Sequence, residues 1–419
     1  MAHNKLHQYS LMMTELQATQ VKESGLPLFS ARLPFKAERV DEAAFEGPLL
    51  AEWGVLHERI SPNMPFTSAS WNALWWKHHR SNRPLKRDEL CLIVVRDARN
   101  ALIAVAPMMS TRQPSIGPLR LHTLRFFGTD PNVTELRGLV CEPENEVAAI
   151  EAVLKYLKHE YPHADWIEWG ALRQENWRKA AGKLSEGSWS SNRETDGYHL
   201  ELPATWEALR SSRSRNIKES IRHCYNSLKR DGLTPELRVI QSPEGTPAAL
   251  ETFFRLHAMR SLATNTITHA DVFRKENERA FISEYARVGA KRGELRIFQL
   301  VISGNVVASR LGFQNNDQIY LYYSGYDPSW SKYSVMTTLV VEAIKWSIEQ
   351  RLAIVHLSTG SDVSKLRWGP VQTRYVSLTE VRRGWRARLF FSIYQQAQSL
   401  LRRAEKIRLP LGASRREST

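Results

Sequence analysis

Residues Tyr333 to Thr337 lie where the sequence predicts that a strand gives way to a helix. The aromatic strand Gln318 to Tyr323 ends at Ser324 to Pro328, because glycine and proline interrupt a strand ladder. Apolar residues then recur at three- and four-residue spacing from Met336 to about Gln350. The first turn of such a helix has about four unpaired N–H groups and a positive dipole end. These amides are therefore a candidate anion site; the alternative is that they only begin a helix.

Basic side chains and one histidine on two predicted helices are the next candidates. Arg213 and Arg215 lie beside an apolar stripe that ends at Gly232. Their guanidinium groups suit a phosphate or a carboxylate, and a solvated basic face is the alternative. His257 and Arg260 are three residues apart and so share a helix face. A histidine there could transfer a proton, although a lone helical histidine more often has a structural role.

The elements that must position these residues run from Gly293 to Trp368. Apolar and β-branched runs separated by turn residues predict a hairpin, an aromatic strand, a helix and a last strand. The predicted strands are Glu294 to Ile302, Val306 to Phe313, Gln318 to Tyr323 and Leu352 to Leu357. Polar residues at the junctions leave room for a cofactor.

The chain before residue 203 has the same coarse order of hairpin, strand, helix and strand, with a third strand at Leu119 to Phe127 and a short last strand at Tyr198 to Leu202. At 419 residues, two domains are expected. The prediction is an α/β (α+β) fold of two tandem domains, each a mixed, mostly antiparallel sheet flanked by helices. The predicted units are a flexible leader at 1–34, domains at 35–202 and 203–380, and a basic helix and tail at 381–419.

Composition excludes several classes of protein. The three cysteines are far apart, so neither a disulfide framework nor a zinc knuckle is indicated, and a cytoplasmic location is expected. The sequence has no run of 18 apolar residues and no secretory signal pattern. It contains no G-x-S-x-G, P-loop or H-E-x-x-H motif, which disfavours hydrolase, ATPase and zinc-protease functions.

The C-terminal tail is strongly basic. Nine Arg and one Lys stand against two Glu from Val381 to Thr419, which gives +8 of the net charge of +14. Trp385, Leu389 and Ile393 begin an apolar helical stripe among these arginines. Such a helix could dock on the folded body of the protein or lie on an anionic membrane surface at the inner face of the membrane.

The late segment resembles a known family. The run V.AS.LGF, the strand YLYYSGYDP, the loop KYS and the stretch STG…SKLRWG are similar to the C-terminal catalytic domain of GNAT-superfamily acyltransferases. The resemblance is to the CelD/BcsL type of cellulose and exopolysaccharide biosynthesis, with a BioF-like acetyltransferase domain, and these proteins are relatives of the FemAB-type transferases. It covers residues 205–370 well and residues 45–200 more loosely, as a degenerate first half. An acidic residue often follows the early strand in this family, and Asp130 matches it, with an Asp-Pro turn as the alternative.

The resemblance implies an N- or O-acyltransferase that uses acyl-CoA, with acetyl-CoA the expected donor, and that needs no metal. The donor would enter between the aromatic strand and the last strand, with its diphosphate at the amides of Tyr333, Ser334, Val335, Met336 and Thr337. The implied catalytic residues are His257, Asp327 and Tyr323. The implied residues for binding a sugar, amine or hydroxyl acceptor, or an anion, are Arg213, Arg215, Asn216, Arg260, Arg310 and Lys365.

One departure from the family keeps other functions open. The family loop usually reads Ser-Pro-Gly-Thr, whereas this chain has Ser334-Val335-Met336-Thr337. Glycine is what permits close backbone approach to a diphosphate. A FemAB-like aminoacyl transferase that uses charged tRNA and a non-catalytic GNAT-fold binding protein are therefore the alternatives.

Overall fold

One mixed sheet runs through the protein. Among the described residues fourteen strands take part, in the order β1-β3-β4-β5-β7-β14-β8-β13-β12-β11-β10-β9, with β2 beside β3 and β6 beside β4. The strands are β1 (Lys36–Val40), β2 (Asn82–Arg83), β3 (Lys86–Arg96), β4 (Leu102–Gln113), β5 (Leu121–Phe126), β6 (Val140–Cys141), β7 (Trp166–Arg173), β8 (Ser188–Glu201), β9 (Pro235–Ile240), β10 (Leu295–Ile302), β11 (Asn305–Asn315), β12 (Gln318–Tyr326), β13 (Ile354–Thr359) and β14 (Val371–Val381).

The computed structural model describes residues 35–114, 117, 120–130, 132–173, 176, 179, 188–263 and 269–408. The leader predicted at 1–34 and the end of the tail at 409–419 lie outside the described residues. The chain from Phe35 onward forms one compact unit.

Helices cover both faces of the sheet. They are α1 (Glu42–Glu46), α2 (Pro48–Arg59), α3 (Ala69–His79), α4 (Glu146–Glu160), α5 (Trp206–Ser212), α6 (Arg215–Arg230), α7 (Thr246–Ser261), α8 (Glu276–Lys291), α9 (Val335–Glu349), α10 (Val363–Leu366) and α11 (Trp385–Arg408). Helices α1, α2, α3, α7 and α8 share one apolar core on the first face. On the second face, α6 and α9 pack in one core and α4 packs in another.

The two halves of the sheet exchange a strand. β8 comes from the first half of the chain but pairs with β13, whereas β14, the last strand, pairs with β7. β8 and β14 also pair with each other, so the sheet is continuous across residue 203. Each half has one parallel pair, β5 with β7 and β12 with β13, and every other pairing of the described strands is antiparallel. The division at 202–203 stays a prediction.

The structure confirms the predicted mixed α/β fold. The predicted hairpins, the helix that carries His257 and Arg260, and the helix after the aromatic strand are present. One boundary was wrong. The short strand predicted at Tyr198 to Leu202 is the end of the longer β8, because its earlier polar residues pair with β14.

Candidate functional site

The parallel strands β12 and β13 separate after a short common stretch. They pair only at Gln318 with Ile354, Ile319 with Val355 and Tyr320 with His356. Beyond these three pairs, β12 continues along β11 and β13 continues along β8. The carboxyl ends of the two strands therefore leave a gap in the sheet.

A β-bulge lies on the β12 side of this gap. Leu321 pairs with Gly312 and Ser324 pairs with Arg310, so Tyr322 and Tyr323 together lie opposite Leu311. A bulge twists its strand and re-aims the side chains of the extra residue. The Tyr323 hydroxyl donates to the Asn132 carbonyl at 2.7 Å, and the Tyr322 hydroxyl donates to the Val133 carbonyl.

A polar cleft of about 440 Å³ opens at the gap. Four cationic and two anionic side chains line it among the described residues; they are Arg260, Arg310, Lys365, Arg367, Glu135 and Asp362. Asp362 pairs with Lys365 at 3.2 Å. No ion pair within the described part of the chain neutralises the three arginines, so the cleft is suited to an anionic ligand.

The N-terminus of α9 forms one wall of this cleft. Ser334 before it has φ 54°, in the left-handed region. The N–H groups of Val335 and Met336 have no acceptor among the described residues, whereas that of Thr337 donates to the Ser334 carbonyl. Met336 and Thr337 line the cleft. Val335 is buried in the core below and does not line the cleft.

Arg367 adds positive charge at this helix start. Its Nη2 donates to the Thr337 hydroxyl at 2.9 Å and its Nη1 donates to the Ser220 hydroxyl at 3.1 Å. Its buried Nε has no partner among the described groups. A guanidinium beside the positive end of a helix dipole is unfavourable by itself, and an anion bound there would relieve the repulsion.

Arg310 lines the cleft near Arg260. The described residues give its guanidinium no hydrogen bond, and its Nε is buried. Burial and the nearby Arg260 lower the pKa of Arg310 to about 10. Arg260 itself donates to the Ser324 hydroxyl at 2.8 Å and to His269 Nε2 at 2.6 Å. An unpaired buried cation costs stability unless a ligand pairs with it.

Glu135 closes the inner end of the gap. Its Oε2 accepts from the hydroxyls of Tyr320 (2.7 Å), Ser358 (2.6 Å) and Thr359 (3.1 Å), and from the Thr359 N–H (3.0 Å). Its donors come from both separated strands, while Glu135 itself belongs to the first half of the chain. Burial and the Glu135 charge raise the pKa of Tyr320.

Two of the three predicted catalytic residues lie outside the cleft lining. His257 Nε2 accepts from the Val272 N–H at 3.3 Å, so its Nδ1 donates to the Ser324 carbonyl at 2.9 Å. Burial lowers the pKa of His257. Asp327 accepts from the N–H and hydroxyl of Ser329 and caps a short 3-10 turn. Tyr323, the third residue, does line the cleft. All three catalytic roles stay predictions.

Some of the predicted binding residues line the cleft and others do not. Arg260, Arg310, Lys365, Met336 and Thr337 line the cleft. Lys365 reaches across the loop to the Thr359 carbonyl.

The other predicted binding residues do not line the cleft. Arg213 donates to the Trp368 carbonyl, and Tyr333 donates to Asp231 Oδ2 at 2.7 Å. Arg215 pairs with Glu219 at 2.7 Å on an exposed surface where Asn216 also lies. The Ser334 N–H donates to the Ser331 carbonyl at 3.0 Å and Val335 is buried, and neither residue lines the cleft. The binding roles of the predicted residues stay predictions.

Arg367 and Glu135 are among the cleft residues that sequence reasoning missed. Arg367 lies in the run SKLRWG and could have been noticed two residues after Lys365. No local sequence pattern indicates that Glu135 belongs to the site. Asp130, the acid considered in that loop, accepts from Trp75 Nε1 at 2.7 Å and from the N–H groups of Val133 and Thr134, which is a turn-forming role.

The described residues hold no group of three or more His, Cys, Asp or Glu side chains arranged to bind a metal ion. The helices in the same part of the chain are too short or too polar to cross a membrane.

Residues 212–366 match the family described as "Acetyltransferase (GNAT) domain". The sequence has no significant match among curated proteins. The match covers α6 to α10, and with it the parted strands and most of the cleft lining. The chain thus carries a GNAT acetyltransferase domain, which indicates an acyltransferase and implies an acyl-CoA donor. The predicted enzyme class is confirmed.

Several solved structures resemble this fold. A conserved protein of unknown function from Bacteroides thetaiotaomicron has 13% identity and a TM-score of 0.48, over 84% of this chain and 100% of that one. FemX has 10% identity and a TM-score of 0.49, over 81% and 96%. A tandem GNAT protein from the clavulanic acid biosynthesis pathway has 11% identity and a TM-score of 0.40, over 84% and 99%.

Proposed function

We propose that this acetyltransferase-domain protein transfers an acyl group from acyl-CoA, with acetyl-CoA the expected donor, to an amine or hydroxyl of its acceptor. The observation that carries the proposal is the separation of β12 and β13 beside the N-terminus of α9. In this arrangement the diphosphate of the donor binds at the N-terminus of α9, beside the Met336 amide. The thioester lies in the gap, where unpaired backbone N–H groups can polarise its carbonyl.

The charges of the cleft support this placement. Arg367 lies at the helix start, and Arg310 lines the same cleft without a hydrogen bond to any described residue. Each could form charge-assisted hydrogen bonds to phosphate oxygens. Lys365 is partly neutralised by Asp362, and burial lowers its pKa, so it contributes less to such a site.

The Val335–Met336 pair does not argue against the donor site. The Val335 side chain points into the core, and the Met336 side chain lines the cleft beside its own amide. A bound diphosphate would meet Met336, whose flexible thioether can adapt to a ligand. The loss of Pro-Gly from this loop is therefore compatible with a donor that binds through the backbone.

We further propose an acceptor from envelope or exopolysaccharide synthesis, as the family resemblance suggests. The runner-up is a FemAB-like aminoacyl transferase that takes its donor from charged tRNA, which the net charge of +14 favours. The third candidate is a non-catalytic binding protein, in which the cleft binds an anion without turnover.

The C-terminal helix favours the proposal that the protein acts at an anionic membrane surface. Ala387 and Phe391 dock α11 against Trp166, but Leu389 and Ile393 on the other side are 50% and 52% exposed. The sequence from Val381 to Ala404 contains six arginines and no Asp or Glu. An exposed apolar stripe flanked by arginines is typical of helices that lie in the membrane interface.

Calorimetric titration of acetyl-CoA into the full chain tests the donor. Binding in the micromolar to low millimolar range supports the proposal, and desulfo-CoA should bind similarly because it keeps the phosphates. No heat of binding at millimolar acetyl-CoA would count against it. A salt-sensitive gel shift with aminoacyl-tRNA and no acetyl-CoA binding would favour the tRNA-dependent function.

A further inference from the structure

Glu135 has two differently placed carboxylate oxygens. Oε2 receives all four hydrogen bonds, from Tyr320 on β12 and from Ser358 and Thr359 on β13. Oε1 has no partner among the described residues, and the side chain lines the cleft. One oxygen therefore fixes the group while the other can accept a proton.

The loop that carries Glu135 is held firmly in place. The Tyr322 and Tyr323 hydroxyls bind the carbonyls of Val133 and Asn132, just before Glu135 in the chain. A buried Val133 packs in the core that both halves share. The first half of the chain thus supplies a side chain to the gap of the second half in a preorganised position.

No other carboxylate of the described cleft is as free to accept a proton. Asp362 pairs with Lys365 and accepts from the Ser364 hydroxyl. Asp327 is committed to a turn outside the lining, and both nitrogens of His257 are occupied by backbone groups. Glu135 is also placed where the strands part, which is where the proposed function puts the thioester.

We propose that Glu135 is the general base of the transfer, an inference that rests on the proposed function. The acceptor nitrogen or oxygen attacks the thioester carbon and loses its proton to Oε1. The C–S bond then breaks, its electron pair leaves with the sulfur, and the thiolate takes up a proton, which Oε1 returns directly or through water. The acyl group ends on the acceptor, CoA leaves as the thiol and Glu135 is again a carboxylate.

The test compares E135Q and E135A with E144Q, whose glutamate is exposed and outside the cleft lining. Thiol release from acetyl-CoA is followed with glucosamine as the probe acceptor, and with water alone as a second. Calorimetry gives the dissociation constant of acetyl-CoA for each protein, and a thermal melt reports folding. Sodium formate is added to E135A to replace the missing carboxylate.

E135Q should lower the rate by at least about a hundredfold, as loss of a general base typically does, while the acetyl-CoA affinity changes less than about twofold. Formate should restore thiol release by E135A, which a purely structural role of Glu135 would not allow. The E144Q rate should match the wild-type rate.

An E135Q rate above half of the wild-type rate would overturn the base assignment. So would thiol release that is no faster with the wild-type protein than without protein, although acetyl-CoA binds. Failure of the wild type to bind acetyl-CoA would instead overturn the donor assignment of the proposed function.

Discussion

The backbones of Gly325 and His257 are in direct contact where α7 crosses β12. A Cβ built on Gly325 would lie 2.2 Å from the His257 nitrogen. This contact brings the end of α7, and with it Arg260, to Ser324 at the edge of the cleft. The glycine therefore sets the distance between a helix of the first face and the site.

We expect G325A to lower the free energy of unfolding by about 3 kcal/mol or more, because two backbone segments must move apart. Chemical denaturation measures the change. G54A is the matched control: Gly54 lies within α2, an alanine methyl there would meet nothing within 4 Å, and alanine should stabilise the helix by about 0.5–1 kcal/mol. Equal stability of G325A and the wild type would contradict the packing argument.

Arg367 should contribute directly to donor binding. We expect R367A to weaken acetyl-CoA binding by about tenfold to a hundredfold, the usual effect of losing a hydrogen bond to a charged group. Calorimetry at constant ionic strength measures it. R215A, which removes an exposed guanidinium outside the cleft, should leave the dissociation constant unchanged. A loss of affinity as large in R215A would show that general charge, rather than this contact, binds the donor.

Arg310 should strengthen acetyl-CoA binding without stabilising the ligand-free protein. Its guanidinium has no partner among the described residues, so R310M should leave the ligand-free protein equally stable or more stable by about 1–2 kcal/mol. The same change should weaken acetyl-CoA binding. Thermal melts with and without acetyl-CoA measure both effects, since a ligand that binds only the folded state raises the melting temperature. A variant that melts lower without ligand and binds normally would refute this role.

Two buried histidines should make the fold sensitive to acid. Burial lowers the pKa of His57 to about 4 and that of His356 to about 3. The unfolded chain, with histidine pKa near 6.5, then binds more protons than the folded one below that pH, so stability falls as the pH falls. Each histidine should lower the free energy of unfolding by about 2 kcal/mol between pH 7 and pH 5.

Denaturant titrations at pH 7, 6 and 5 measure this slope. H57Q should reduce it, because glutamine can still donate to the Met64 carbonyl but does not titrate. A slope that H57Q and the wild type share would contradict the assignment.

The exposed stripe of α11, formed by Leu389 and Ile393, should bind anionic vesicles. The full chain should co-sediment with vesicles that contain phosphatidylglycerol and not with pure phosphatidylcholine vesicles, because both arginines and apolar residues contribute. L389S/I393S should abolish this binding without lowering the melting temperature, since both side chains are exposed. A concentration-dependent dimer that the same double variant disrupts would show that a second copy of the chain covers the stripe instead.

Local patterns were enough to predict most elements around the site. The aromatic strand, the turn after it and the helix from Val335 follow from alternation, from Gly and Pro positions and from three- and four-residue spacing, which are properties of neighbouring residues. Arg260, Arg310 and Lys365 were identified as binding candidates on the same local basis and on the resemblance, and all three line the cleft.

Only the tertiary structure decided which side chains meet. Glu135 reaches the gap through hydrogen bonds to residues more than 180 positions later, and no local pattern encodes such a contact. The exchange of β8 and β14 likewise depends on pairing between distant strands. The sequence by itself determined the elements and a positive helix start, because these depend on short-range periodicity. Folding decided that His257 and Asp327 are held by backbone groups while a carboxylate from the other half enters the site.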